Sequence, residues 1–337
     1  PDLGSFPSMQ PSAPRAGSRV STSSSIPVRT MSDAGTPANY LRFWGVRGSY
    51  AAPQKSHLGV GGNTSCVEIR AGEHLLVCDG GTGIIPLGEA LVAQSDINEM
   101  LVVFTHYHWD HICGLPFFQP AFSPRWKIKF FGPGESAEDI EKRLSNQMKA
   151  PYFPVETETW MANIEYLSPS KTGITHGPIT LSFHNVHHPG VTYGYRINVH
   201  GKNIVYVSDN EIDFLKSSIQ RRRDEFDDEE HELLERIENE ERDAELDAIR
   251  GTDILIHDAQ YTPHDYDKKR GWGHSCYVDA VNFAIDAEVK ALYLYHHDPT
   301  YDDEKVNAIY HDCLQIIRER GSTMACHIAH EGLIVEL

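Results

Sequence analysis

From Leu41 onward, apolar and polar positions alternate in short runs broken by turn residues. LRFWGV, SCVEIRA and HLLVCD carry the two-residue period of strands. IPLGEALVAQ carries a helical period, and MLVVFTH is almost wholly apolar, which predicts a central strand buried on both faces. KIKFFG reads as a strand and AEDIEKRLSNQMK as a helix. ITLSFHNV, YGYRIN, NIVYVSD and DILIHD predict four more strands. VDAVNFAIDA (helix), ALYLYHHD (strand), VNAIYHDCLQIIRER (helix) and GLIVEL (strand) complete the series. Strands group first and then alternate with helices, so the expectation is sheets covered by helices.

Two segments fall outside this pattern. Residues 1–38 are rich in Ser, Pro, Thr and Gly and are expected to form a disordered tail, because they offer too little apolar surface to offset chain entropy. Met31 is a candidate internal start, which would make the residues before it an upstream or appended tail. Residues 39–337 then form the folded domain. Residues 211–250 hold sixteen Asp and Glu against seven Lys and Arg. This acidic insertion is expected to be a solvated helical pair or hairpin, with Leu233, Leu234, Ile237 and Leu246 as its apolar stripe. A lid or a partner surface is its functional alternative.

Charge narrows the partners. The 337 residues carry a formal net charge of −18, which repels nucleic acid and anionic membranes unless a local site reverses the field. No apolar run is long enough for a transmembrane helix. The six cysteines form no C-x-x-C pair and suit a reducing, cytoplasmic compartment as small buried residues.

THYHWDHICG, residues 105–114, concentrates candidate chemistry. His106 and His108 lie two apart at the predicted strand end, so period two sends both side chains one way. Asp110 and His111 follow where a helix should begin, and can face a neighbouring ion. So many polar ligand types without a shared partner would be costly to desolvate. One segment cannot complete two metal sites. His188 before Pro-Gly, Asp209 after IVYVS and His296 after ALYLY each terminate a predicted strand and are the candidate remaining ligands. His184 and His187 compete with His188, and His297 competes with His296.

Taken together, GVRGS, GGNTSC, DGGTG, THYHWDH, HHPG, YVSD, WGHS and YHHDP resemble the metallo-β-lactamase-fold hydrolase superfamily. The likeness is greatest to its phosphodiesterase-like branch, which includes tRNA 3′-processing endonucleases and cyclic-nucleotide phosphodiesterases. The resemblance implies an αββα sandwich of two mixed sheets flanked by helices. It also implies that His106, His108 and His188 hold one metal, that Asp110, His111 and His296 hold a second, and that Asp209 bridges them. Asp79 would orient a ligand histidine from behind, His188 and His296 are preferred over their neighbours, and His297 would support the ligands. An aspartate at position 209, where one class of true β-lactamases has a cysteine, argues against that activity.

Two divalent ions offset by Asp110, Asp209 and a bridging hydroxide leave the site weakly positive, which suits an anionic substrate. N/O ligands fit Zn²⁺, with Mn²⁺ or Fe²⁺ as alternatives. His274 in GWGHSC is the candidate general acid, and Asp258 is its candidate orienting partner. Asp110 joins them as a catalytic carboxylate. Tyr107, Trp109 and Trp272 either wall the pocket or pack beside it. The expected function is a phosphodiesterase acting on a small phosphodiester or cyclic nucleotide. A tRNA-processing endonuclease, a lactone or thioester hydrolase and a non-enzymatic binding module are the alternatives. The expected partners are a small anionic ester and, for assembly, a second copy of the chain; nucleic acid and membrane are disfavoured.

Overall fold

The computed structural model describes residues 28–29, 37–93, 97–168, 173–212, 214 and 226–337. The first sheet has eight strands: β1 (Val28–Arg29), β2 (Asn39–Gly45), β3 (Cys66–Ala71), β4 (His74–Cys78), β5 (Glu99–Val103), β6 (Lys127–Phe131), β7 (Asn163–Tyr166) and β15 (Ile334–Glu336). Their order is β1-β15-β2-β3-β4-β5-β6-β7. The second sheet has seven: β8 (Ile174–His176), β9 (Ile179–Asn185), β10 (Tyr193–Val199), β11 (Lys202–Val207), β12 (Ile254–Asp258), β13 (Ala291–Tyr295) and β14 (Ala325–Ile328). Here the order is β14-β13-β12-β11-β10-β9-β8. Both sheets are mixed: β4 to β7 run parallel, as do β11 to β14, and the other pairings are antiparallel.

The apolar runs explain the layers. In β4 and β5, Leu76, Cys78, Leu101 and Val103 point into the core shared with the second sheet. Leu75, Val77, Met100 and Val102 point outward, beneath α1 (Ile84–Ala93) and α3 (Ala137–Asn146). A strand buried on both faces has no use for alternation, which is why MLVV reads as a continuous apolar run. On the far side, α6 (Tyr277–Asp286) and α7 (Asp303–Glu319) cover the second sheet with Ala280, Val281, Ala284, Val306, Ile309 and Cys313. The αββα sandwich expected from the sequence is the fold observed. Two short helices, α2 (Trp109–Ile112) and α5 (Pro263–Lys269), lie in the loops near the site.

Of the insertion, the described residues include the helix α4 (Asp228–Ile249); residues 213 and 215–225, on which the other half of the expected pair falls, lie outside the described residues. Asp227 and Glu230 close a capping box at its start, and three acids occupy its first turn, where the helix dipole favours them. Leu246 and Ile249 are buried at its C-terminal end, whereas Leu233 and Ile237 are exposed. The predicted stripe is thus covered only over its last turns. Glu211 and Ile212, counted with the insertion, are buried in the body of the protein. The expected disordered tail falls almost wholly outside the described residues. Within it, Val28 and Arg29 pair antiparallel with Val335 and Ile334, since the exposed edge of β15 offers hydrogen bonds to any extended backbone. None of the described helices is long and apolar enough to cross a membrane.

Candidate metal centre

The candidate residues gather at the carboxyl ends of strands from both sheets. Asp79 follows β4, residues 104–111 follow β5, His188 lies beyond β9, Asp209 follows β11, Asp258 ends β12 and His296 follows β13. Strand β5 ends at Val103, before either histidine, so their convergence does not come from strand alternation. Phe104 donates one last bond to Phe131, and Thr105 then turns to Asp79: its N–H and Oγ1 donate to Oδ1 at 2.8 and 3.1 Å. His106 and His108 meet in the loop that follows, with ring centroids 4.4 Å apart, and Asp110 and His111 sit in the single turn of α2.

Among the described residues, four overlapping groups of donor atoms result, including one of His188, Asp209 and His274 and one of Asp258, His274 and His296, and the other two gather the seven candidate ligands. His106, His108 and His188 form one; Asp110, His111, Asp209 and His296 form the other. Asp209 faces both. Its Oδ2 is 3.9 Å from Nε2 of His106 and of His188 and 3.4 Å from Nε2 of His296, and its Oδ1 is 3.1 Å from Nε2 of His111. Asp110 Oδ2 lies 3.2 Å from His296 Nε2 and 3.4 Å from His111 Nε2. Nε2 of His106 is buried with no hydrogen-bond partner, and Nε2 of His111 and Oδ1 of Asp209, 3.1 Å apart, are buried without an aligned hydrogen bond. Orphaned polar atoms of this kind are costly unless something else satisfies them. Their common focus and their N/O character fit divalent cations.

The supports behind the rings are equally specific. His111 Nδ1 donates to Asp79 Oδ2 at 2.9 Å, and Tyr206 donates to the same oxygen at 2.8 Å. His296 Nδ1 donates to Gln260 Oε1 at 2.9 Å, and His188 Nδ1 to the Gly273 carbonyl at 2.8 Å. With Nδ1 occupied, each ring turns Nε2 to the centre. His108 is reversed, with its Nδ1 2.9 Å from His188 Nε2. Burial alone would raise Asp209 and Asp110, but the imidazoles around them hold both well below the usual carboxylate range. Burial opposes charge on His111, yet Asp209, Asp110 and Asp79 keep its pKa well above the ordinary histidine value.

Backbone strain marks the same place. Asp79, Ser49 and His296 adopt left-handed φ values of 62°, 62° and 57°. Ser49 N donates to Asp110 Oδ2 at 2.6 Å. A Cβ on the preceding Gly48 would lie 2.5 Å from the His296 ring. Gly48→Ala should therefore displace His296 and weaken metal binding about 10- to 100-fold, as loss of a ligand's support does. Metal titration against a competing chelator measures this, and unchanged affinity would refute the contact's importance.

His274 stands beside the centre. Its Nδ1 is 2.8 Å from Asp258 Oδ2 and 3.7 Å from Asp209 Oδ2. The geometry also groups it with His188 and Asp209, but its Nδ1 is already engaged by Asp258. Burial raises Asp258 well above the carboxylate range and lowers His274, so it pushes both groups toward their uncharged forms.

The competitors go elsewhere. His297 bonds through Nε2 to the Ala329 carbonyl rather than to a ligand, while its backbone bonds to Val46 and Gly48. Strand β9 ends at Asn185, so His184 lies on it and His187 and His188 lie beyond it. His184 is not in any of the donor groups, and His187 lies between Glu241 (2.8 Å) and Glu245 (3.1 Å) of α4. Trp109 and Trp272 are exposed, while Tyr107 is half-buried and stacks on Phe104. Gln260, Gly48, Tyr206 and Glu211 escaped the sequence reading. Only the QY of HDAQY and the acid two residues past Asp209 hinted at two of them.

His257 and His297 are fully buried, and burial lowers them to about 4 and about 3. Unfolded, each takes a proton near pH 6.5. Their neutral forms therefore stabilise the fold above that pH, and the benefit is lost as pH falls toward 4, on the order of 3 kcal/mol for His257. Urea unfolding of His257→Gln between pH 7 and 4.5 should show a pH slope smaller by about one proton; an unchanged slope would contradict the assignment.

Residues 90–227 match the family model described as the beta-lactamase superfamily domain. Over that stretch, less than half of its length, the chain is similar to this superfamily. A ribonuclease Z of Thermoplasma acidophilum is 24% identical over 292 residues, covering 78% of this chain and 88% of that enzyme. A ribonuclease Z of Brevibacillus brevis is 39% identical over 67 residues, 20% of this chain and only 21% of that enzyme's length. In the superfamily's solved structures, the metallo-beta-lactamase fold protein YhfI of Bacillus subtilis superposes with a TM-score of 0.60 at 19% identity over 88% of this chain and 99% of that one. Unliganded yeast PDE1 gives 0.60 at 16% over 89% and 99%. These structural likenesses concern the fold. The fold and the His/Asp cluster together imply divalent metal binding.

Proposed function

We propose that the chain is a dinuclear metal-dependent phosphodiesterase acting on a small phosphodiester or cyclic nucleotide. The observation that carries this is the meeting of two donor groups at Asp209, with the Asp258–His274 pair 3.7 Å from its Oδ2. His106, His108 and His188 would hold one ion, Asp110, His111 and His296 the other, and Asp209 both. Bound there, two divalent cations, Zn²⁺ first on the N/O donor set, would supply Lewis acidity and a water of lowered pKa.

The chain's own groups do the rest. Asp79, Gln260 and the Gly273 carbonyl hold three ligand rings at Nδ1. Asp258 holds His274 at Nδ1, which leaves Nε2 to protonate the departing oxygen. A phosphodiester needs that proton because its alkoxide is a poor leaving group. A small ester also suits a chain of net charge −18, since its single negative charge meets a local field set by the cations rather than by the surface. Free thiols at all six cysteines accord with a cytoplasmic setting.

A tRNA 3′-processing reading is favoured by the ribonuclease Z likeness along most of the chain. It ranks second because α4 presents acids where a phosphate backbone would need cations. A lactone or thioester hydrolase ranks third. Metal-loaded protein assayed on bis(p-nitrophenyl) phosphate, cyclic nucleotides, a tRNA precursor, lactones and thioesters separates the three. The proposal predicts turnover of the small diesters; processing of the precursor alone, or of acyl esters alone, would overturn it.

A further inference from the structure

Glu211 is fully buried two residues beyond Asp209. A carboxyl side chain so deeply buried needs hydrogen-bond donors around it. It has them, and all belong to one region. Gly271 N donates to Oε1 at 2.8 Å and Oε2 at 2.9 Å, Gly273 N donates to Oε2 at 2.9 Å, and the Tyr266 hydroxyl donates to Oε1 at 3.2 Å. The Glu211 amide in turn donates to the His187 carbonyl at 2.7 Å. Gly271 and Gly273 have φ values of +85° and +89°, a conformation suited to glycine that aims both N–H groups at the carboxylate.

The loop so held carries two consequences for the site. The Gly273 carbonyl accepts from His188 Nδ1 at 2.8 Å, and His274 is the next residue along the chain. The fit is close, since a Cβ on Gly273 would lie 2.3 Å from the His188 ring. None of these side-chain hydrogen bonds reaches a ligand ring or His274, yet the backbone that Glu211 grips orients one and delivers the other.

We propose that Glu211 is a positioning residue that sets the Gly271–His274 loop so that His274 meets the leaving group. The inference rests on the phosphodiester reading of the site. Glutamine keeps the shape but turns an NH₂ group toward a backbone N–H that needs an acceptor, and it loses the charge assistance of these bonds. The loop should then relax, and proton delivery should fail before metal binding does.

The experiment pairs kinetics with amide exchange. In the metal-loaded enzyme, a series of aryl phosphodiesters with leaving phenols from 4-nitrophenol to phenol is compared across wild type, Glu211→Gln and Glu211→Asp. Glu211→Gln should lower kcat at least about 30-fold for the phenyl ester and under about threefold for the 4-nitrophenyl ester, with KM and bound metal little changed. Glu211→Asp, which keeps the charge, should recover part of the loss. Independently of activity, amides of residues 270–275 should exchange at least about tenfold faster in Glu211→Gln than in wild type, while β12 and β13 stay protected. A loss equal for every leaving group, a loss of metal, or unchanged exchange at 270–275 would overturn the proposal. Wild type that hydrolyses no diester would instead sink the phosphodiesterase reading, and the exchange result would still decide whether Glu211 holds the loop. If Glu211→Gln does not fold, Glu211→Asp alone should show a smaller loss with the same leaving-group dependence.

Discussion

Replacing Asp209 with alanine should reduce diester hydrolysis by at least about 10³-fold, which corresponds to the several kcal/mol of charge stabilisation that a metal pair contributes. Among the described residues it is the carboxylate that faces both donor groups: its oxygens lie 3.1 to 3.9 Å from the Nε2 atoms of His106, His111, His188 and His296. The variant should also retain less than its full metal content after dialysis. Stability should move with it. Asp209 is buried and held well below the usual carboxylate range. Such a group stabilises the fold above its unfolded pKa of about 3.9, and the benefit is lost as pH falls through the folded value. At neutral pH its removal leaves His111 facing fewer carboxylates, and metal-free protein should lose about 3–5 kcal/mol, as when one partner of a buried charge pair is deleted. Metal analysis, kcat and urea unfolding check the three parts. Full metal content with full activity would remove Asp209 from the centre.

Substitution of His274 with alanine should act differently. The metal ligands remain, so metal content should hold near the wild-type value. The rate should fall about 10²- to 10⁴-fold for esters whose alkoxide needs a proton, the range expected of a general acid. With a 4-nitrophenolate leaving group, which departs unaided, the loss should be far smaller. Asp258→Asn should follow the same pattern more mildly, because an amide at 2.8 Å from Nδ1 still holds the ring while changing which atom carries the hydrogen. A loss independent of the leaving group in His274→Ala would point to simple packing beside His296 and His188, whose rings lie 5.0 and 5.1 Å away.

Much of the fold lay open in the chain because both periods are strong. β3, β4, β12, β13 and α3 fall within the stretches read from the sequence, β5, α1 and α6 begin one residue before theirs, and α7 begins three residues before. The short strands β7, β8 and β14 were not legible, because three or four residues are too few to display a period, and α5 was hidden by its polar sequence. The residues of the candidate centre were legible as a cluster, but for a partly wrong reason. His106 and His108 lie beyond the strand, and it is Asp79 gripping Thr105 that turns them inward. The supports from Gln260, Gly273 and Glu211 could not be read. They act through backbone carbonyls, amides and loops whose meeting depends on the tertiary fold.

The donors arrive from the loops of both sheets, with Asp110 and His296 in contact across 186 residues of sequence. Ions held there would fasten one layer of the sandwich to the other across its rim. Loaded protein should therefore resist proteolytic nicking at segments well away from the rim, and stripping with a chelator should open cleavage points in both halves together. The cofactor in that case sets not only the turnover of the molecule but its lifetime.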